Sequence, residues 1–278
     1  MAYVGDSSLS AECVFCNAFE SADDVASLVI YRGEHAFVIL NLYPYNTGHL
    51  MVVPNQHVSN PASLSQAARA EMAELTASFC VGLQEVMGCD GLNAGMNLGS
   101  AAGAGIADHV HQHIVPRWSG DANFMPIIGG TKVLPELLPA TYGKIRAEVA
   151  RQSSRASTAR LVLISSGLEA VYLQDGVLPE IALNPDEPVW KSAMAFTRGL
   201  AASCSIAGWA GGASTSSDAV DVPALSLVFE PGPKARLLEP VTAAKIRDRL
   251  PERESANIAA GLTRLRGTPA EPNADTSL

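Results

Sequence analysis

Between Gly105 and Trp118 the chain reads Gly-Ile-Ala-Asp-His-Val-His-Gln-His-Ile-Val-Pro-Arg-Trp, which places three of its six histidines within five residues. His109, His111 and His113 alternate with Val110, Gln112 and Ile114. Successive side chains of an extended strand leave opposite faces, so this spacing predicts three imidazoles on one side of a sheet. Histidine is a costly choice for a strand interior. A single one reads as a hydrogen-bonded core group; three in strict alternation read as a site.

Such a site suits metal ligation, or phosphoryl or acyl transfer with a histidine nucleophile. The upstream run Gly99-Ser100-Ala101-Ala102-Gly103-Ala104-Gly105 has minimal side chains, and its backbone N–H groups can approach an anion closely. That neighbour favours phosphoryl chemistry. A metallohydrolase with all three histidines as ligands is the weaker alternative, because no carboxylate pair lies nearby.

The residues here resemble the histidine-triad family of nucleotide hydrolases and transferases, whose signature is His-x-His-x-His followed by two apolar residues. In this chain it is His109-Val110-His111-Gln112-His113-Ile114-Val115. The extension Pro116-Arg117-Trp118, with Gly120-Asp121-Ala122-Asn123-Phe124 after it, resembles the bacterial branch that includes diadenosine tetraphosphate phosphorylases. The likeness covers roughly residues 11 to 145. It implies an α+β histidine-triad fold, an antiparallel sheet with a long helix, and a homodimer in which two sheets join.

The resemblance also implies roles. His111 is the nucleophile that forms a nucleotidyl-histidine intermediate, and His113 hydrogen-bonds the transferring or leaving phosphate and can act as an acid. Asn41 corresponds to a residue that contacts the ribose, where many relatives have Asp, and Asn97 and Gly99 to residues that contact the phosphates. Many relatives carry a phosphate-binding Ser where this chain has Ile106, so backbone N–H groups from Gly103 to Gly105 are expected to replace that hydroxyl. Gln112 and Arg117 are expected to add contacts from the rim, Arg117 holding a second anion such as inorganic phosphate through its fork of donors.

Cys13-Val14-Phe15-Cys16 carries a Cys-x-x-Cys spacing that is either redox-active or half of a zinc site. A redox pair asks for a strand before it and a helix after it, and the sequence shows neither. By resemblance the remaining zinc ligands are His57 and His109, giving a closed Cys2His2 set of the structural kind, with no metal required for catalysis. Cys80, Cys89 and Cys204 read as small core residues. His49, in a Gly-His pair typical of the family, reads as a hydrogen-bonded strand histidine.

The chain has 278 residues, 47% hydrophobic and 17% charged, which suits a globular protein of one large or two modest domains. A net charge of −9 disfavours sequence-independent binding of nucleic acid, so the expected partner is a small nucleotide. No apolar run is long enough for a membrane span and no basic-then-apolar leader opens the chain, so the expected location is cytoplasmic.

Residues 1–12 carry no pattern and read as a mobile tail. Strands are expected over Ser27–Tyr31, Ala36–Leu42, His49–Val53 and Leu92–Leu98, a long amphipathic helix over Ser63–Val86 capped by Ser63 or Ser65, and a helix over Leu134–Gln152. The polar run 153–158 reads as a linker dividing a triad domain over 1–152 from a small α/β domain over 159–278. In the latter, Arg160–Ile164 and Glu169–Gln174 read as paired strands, Pro188–Ser203 as a helix, Ala224–Phe229 as a strand and Ile258–Leu265 as a helix. Gly208–Ser217 reads as a loop, and Trp190 and Trp209 as core. This region has no histidine and no complete phosphate loop, and its sequence indicates no role.

Taken together, the resemblance implies nucleotidyl transfer from a dinucleoside polyphosphate, with phosphorolysis of diadenosine tetraphosphate to ATP and ADP as the leading reaction. The alternatives are hydrolysis of dinucleoside polyphosphates or nucleoside phosphoramidates, and a nucleotide-binding regulator whose turnover is incidental.

Overall fold

The computed structural model describes residues 13–121, 136–211 and 223–267. The expected tail at 1–12, Ala122 to Phe124 of the extension, the start of the helix expected at Leu134 and most of the Gly208–Ser217 run lie outside them. The described residues divide into two compact units, one over residues up to 149 and the other over those from 150 onward. It is an α+β protein: a histidine-triad fold followed by a C-terminal α/β region.

In the first unit a short helix α1 (Val14–Glu20) precedes strands β1 (Val29–Arg32), β2 (Ala36–Leu40) and β3 (Leu50–Pro54). Helix α2 (Gln66–Met87) then leads to β4 (Gly91–Met96) and β5 (Gln112–Arg117). The sheet order is β1-β2-β3-β5-β4 with every pair antiparallel. Every residue of β2 and β3 is buried, because the sheet is covered on both faces.

One face is closed by α1. Phe15 and Ala18 pack on Val29, Phe37, Ile39, Met51 and Val53, and Ile106 joins this cluster at its margin. Ile106 is partly buried there and makes an apolar contact at the edge of the cluster. The other face is closed by α2, whose Phe79 meets Tyr31 and whose buried residues Ala68, Met72, Phe79, Leu83 and Val86 recur at helical spacing. Ser65 rather than Ser63 is the cap, its hydroxyl accepting from the Ala68 amide, and Gly88 ends the helix in the left-handed conformation. Burying Phe79 or Leu83 against the sheet contributes about 1.5–3 kcal/mol each.

Two boundaries differ from the sequence reading for a common reason. β2 ends at Leu40, not Leu42, and β4 at Met96, not Leu98, because Asn41 and Asn97 lie where the ladder gives way to loops that line the site. Gly48 closes the first loop at φ +81°, where an added Cβ would lie 3.2 Å from Pro116 and 3.3 Å from Met87. Both the backbone conformation and the close approach require glycine there.

Helix α3 (Leu138–Ser154) ends later than expected and β6 (Thr158–Ser165) begins within the expected linker, so only 155–157 remain between them. β7 (Ala170–Leu173), β8 (Glu180–Ala182), α4 (Val189–Thr197), β9 (Ala201–Trp209), β10 (Ala224–Pro231), β11 (Glu239–Thr242) and α5 (Glu252–Gly267) follow. The sheet runs β11-β7-β6-β10-β9 with β8 beside β6, and of the pairs only β6 with β10 is parallel. Val162, Ile164, Val171, Leu173 and Val241 form its core with Ile246, Leu250, Ile258 and Leu262.

The helix expected over Pro188–Ser203 stops at Thr197, and the chain re-enters as a strand at Ala201. Ala201–Trp209 has no apolar period of its own; pairing with the apolar strand β10 decides its conformation. Gly208 and Trp209 therefore belong to a strand rather than a loop, and Trp209 is buried.

Candidate active site and metal-ligand cluster

The three triad histidines lie at the entrance to β5, not along it. β5 begins at Gln112, so only His113 is on a paired rung, opposite Gly95 and Met51, while His109 and His111 precede the ladder. All three are buried. The Val110 amide donates to the Val58 carbonyl at 2.7 Å, which pulls this segment toward the loop after β3 and gives His109 different neighbours from His111 and His113.

His109 turns toward α1. Its Nε2 donates to the Pro54 carbonyl at 2.9 Å, and its Nδ1 lies 3.3 Å from Cys13 Sγ and 3.7 Å from Cys16 Sγ. Cys16 Sγ is 3.3 Å from His57 Nδ1. The four ligand atoms of Cys13, Cys16, His57 and His109 all lie within 4.8 Å of one another. Tetrahedral zinc with bonds of about 2.0–2.3 Å separates its ligand atoms by about 3.3–3.8 Å, so the cluster has the donor types and size of such a site. Commitment of His109 Nε2 to a backbone carbonyl leaves Nδ1 as the ligating nitrogen. Cys13 is the residue before α1 and Cys16 lies in its first turn, so a helix that the sequence did not show begins within the pair.

His111 stands apart from that cluster. Its Nδ1 donates to the His109 carbonyl at 2.9 Å, and since a carbonyl only accepts, neutral His111 carries its proton on Nδ1 and its lone pair on Nε2. Phe15 packs on the ring at 4.8 Å between centroids. Burial pushes the His111 pKa down, opposed in part by the bond to the His109 carbonyl, and so favours a neutral ring with an available lone pair.

His113 is 4.8 Å from His111 between ring centroids. Its Nδ1 is 2.9 Å from His49 Nε2, and its own Nε2 is buried with no partner among the described residues. Burial, and secondarily the positive charge that His111 acquires on protonation, push its pKa down to about 4. His49 is thus a member of the site and not a bystander in a strand. The only sequence signal for this was its place after Gly48.

Other expected residues fall differently. Asn97 follows the Met96–Gln112 rung, on the same face as Gly95 and His113 by strand alternation. Gly99 and Gly103 bracket a short turn at φ +80° and +81°. The Gly103 amide donates to the Ser100 carbonyl at 3.0 Å, whereas Gly105 is outside these turn bonds. Asn41 accepts from the Tyr43 amide at 2.9 Å and presents Nδ2 to His49 Nδ1 at 3.2 Å.

Two residues expected at the rim have other neighbours in the structure. Gln112 pairs with Val52 and Met96 and belongs to the face that α2 covers, opposite His113. Arg117 is four residues along the strand from His113, about 13 Å away. Its Nε and Nη2 each donate to an Asp121 carboxylate oxygen at 2.7 Å, and its Nη1 donates to Asn93 at 2.7 Å. That pairing raises the arginine pKa and holds the Asp121 carboxyl well below the usual range. Asn46 Nδ2 donates to both the Pro116 carbonyl and Asp121, so the ion pair braces the loop carrying Tyr45 and is not an open anion fork.

A family model described as the HIT domain matches residues 23–120. Two proteins of Mycobacterium tuberculosis strains, each named AP-4-A phosphorylase, are 47% identical over 129 residues, 46% of this chain. The chain spans 66% of the length of those relatives, just under two thirds. An uncharacterised HIT-like protein of Methanocaldococcus jannaschii is 32% identical over 39% of this chain and 81% of its own length. Among solved structures, a zinc-bound histidine triad family protein from Mycobacterium smegmatis is 27% identical with a TM-score of 0.42, covering 52% of this chain and 98% of its own. With His-x-His-x-His at the head of β5 and that similarity across most of a HIT-like protein's length, the chain belongs to the histidine-triad (HIT) family.

Proposed function

We propose that the protein cleaves a dinucleoside polyphosphate by nucleotidyl transfer through His111, with diadenosine tetraphosphate as the substrate and inorganic phosphate as the acceptor. The observation that carries the chemistry is the bond from His111 Nδ1 to the His109 carbonyl, which leaves the Nε2 lone pair to attack. The substrate and acceptor follow from the names of the 47% identical relatives.

In the first step His111 Nε2 forms a bond to the α-phosphorus, the bond from that phosphorus to the bridging oxygen breaks, and ATP leaves with the electron pair. His113, the nearest donor to that position, hydrogen-bonds the departing oxygen. Asn97, Gly99 and Gly105 bind the phosphate oxygens, and Asn41 the ribose. In the second step an oxygen of inorganic phosphate attacks phosphorus, the bond to His111 breaks, and ADP leaves. Cys13, Cys16, His57 and His109 would hold zinc as a structural ion, tying α1 and the triad segment to the loop after β3, and a set of four protein ligands would leave no position for substrate. The active form is a homodimer, a proposal consistent with β4 being an edge strand whose residues 93–95 are exposed.

Hydrolysis is the second reading, favoured by the commitment of Arg117 to Asp121, which removes an expected phosphate-binding group. Product analysis with and without millimolar phosphate separates them. Phosphorolysis predicts acceleration by phosphate with ATP and ADP as products; equal rates giving ATP and AMP in both conditions identify a hydrolase.

A further inference from the structure

The triad requires two different histidines, one with a lone pair toward phosphorus and one with a proton toward the departing oxygen. The His109 carbonyl dictates the first. The source of the second lies in the loop after β2. The Tyr45 amide donates to His49 Nδ1 at 3.0 Å, and a backbone N–H can only donate. His49 Nδ1 is therefore a lone pair, and the proton of neutral His49 is on Nε2. That Nε2–H faces His113 Nδ1 at 2.9 Å, which must accept. The proton of neutral His113 is then on Nε2, the buried atom with no partner among the described residues.

Asn41 reinforces the same direction. Its Oδ1 accepts from the Tyr43 amide, which prevents the side chain from turning an acceptor toward His49, and its Nδ2 approaches the same His49 nitrogen at 3.2 Å. The Tyr45 ring stacks on His113 at 25° and 5.6 Å and lies 4.7 Å from His49, covering the pair from solvent. The loop itself is tied down through Asn46 to Pro116 and Asp121.

We infer that the Tyr45 amide and the Asn41 side chain, acting through His49 as a positioning residue, fix the tautomer of His113 so that it meets substrate as an Nε2–H donor. His111 and His113, two residues apart, are thereby locked as opposite tautomers by backbone groups of different loops. Water or a mobile loop in place of the Tyr45 amide would leave His113 free to point a lone pair at the negatively charged substrate. The inference rests on the proposed nucleotidyl transfer only for its consequence, not for the tautomers themselves.

The test is long-range proton–nitrogen correlation on the full-length protein with nitrogen-15 histidine, at neutral pH and without substrate. The expected pattern is Nε2–H on His49 and His113 and Nδ1–H on His111. Nδ1–H or an averaged signal on His113 overturns the inference. The double variant Asn41→Ala/Tyr45→Pro, which strips both donors from His49, is expected to average the His113 signal; retention of Nε2–H also overturns it. Should that variant not fold, His49→Leu is expected to lose the single tautomer and lower kcat about tenfold or more with KM changed less than about threefold, and His49→Gln, whose amide can donate to the same nitrogen, to recover much of the loss. Unchanged kcat in His49→Leu counts against the inference. Correct tautomers in a protein that does not cleave dinucleotides would fault the proposed substrate and leave the inference standing.

Discussion

His113 and Arg117, four residues apart on β5, show how side chains of similar apparent promise divide into chemistry and support. His113 has a pKa pushed down to about 4 by burial, against an ordinary value of 6.5. As pH falls from about 6.5 to about 4 the unfolded chain takes up a proton that the folded site refuses, so stability falls over that window and levels off below it. In urea unfolding His113 is expected to account for about 2 kcal/mol of the stability lost between pH 7 and pH 5, a share absent from His113→Phe; an equal loss in that variant assigns the effect to other groups. Arg117, by contrast, is spent on Asp121 and Asn93, so Arg117→Ala is expected to loosen the Asn41–Gly48 loop and lower kcat while leaving the KM for phosphate within about twofold. A KM raised tenfold or more restores Arg117 as an anion-binding residue. That the three histidines form a site was legible from spacing, because alternation and a glycine loop are local. The place of His49 was not, since its partner lies 64 residues away in sequence. The Arg117–Asp121 pair, only four residues apart, was open to being read as a salt bridge.

Each element of the first unit is defined by what it brings to the entrance of β5. β2 and β3 read clearly as strands because they are short apolar runs bounded by turn residues, and α2 because its apolar residues recur at helical spacing and a serine caps it. The seven-residue α1 escaped notice, being too short for a period, and its position depends on Phe15 and Ala18 packing under the sheet. Its attachment is completed by the cysteine–histidine cluster. Replacing Cys13 and Cys16 by Ser is accordingly expected to remove zinc and lower the melting temperature more than it lowers activity per folded molecule. Metal analysis below about one-tenth zinc per chain in gently purified wild-type protein contradicts that assignment. The same short helix covers His111 through Phe15, so a residual effect on kcat is expected from looser packing on that proposed nucleophile.

The chain as a whole joins a family unit whose chemistry is written locally to a region whose fold depends on distant pairing. In the second unit β9 is a run of small residues and β8 and β11 are short, so neither period nor turn chemistry announced them; β10 and β6, strongly apolar, were visible and recruit the rest. Every residue proposed to touch the nucleotide precedes this region, and we propose that catalysis belongs to the first unit. Among the described residues no helix is long and apolar enough to cross a membrane. The most direct test follows the nucleotidyl group itself. Full-length protein is mixed with diadenosine tetraphosphate labelled at the α-phosphorus without inorganic phosphate, quenched in alkali to preserve a phosphorus–nitrogen bond, and mapped by peptide. The predicted result is adenylyl label on the peptide carrying His111, discharged as ADP when phosphate is added and absent from His111→Ala; turnover that persists in His111→Ala, or label on another residue, contradicts it.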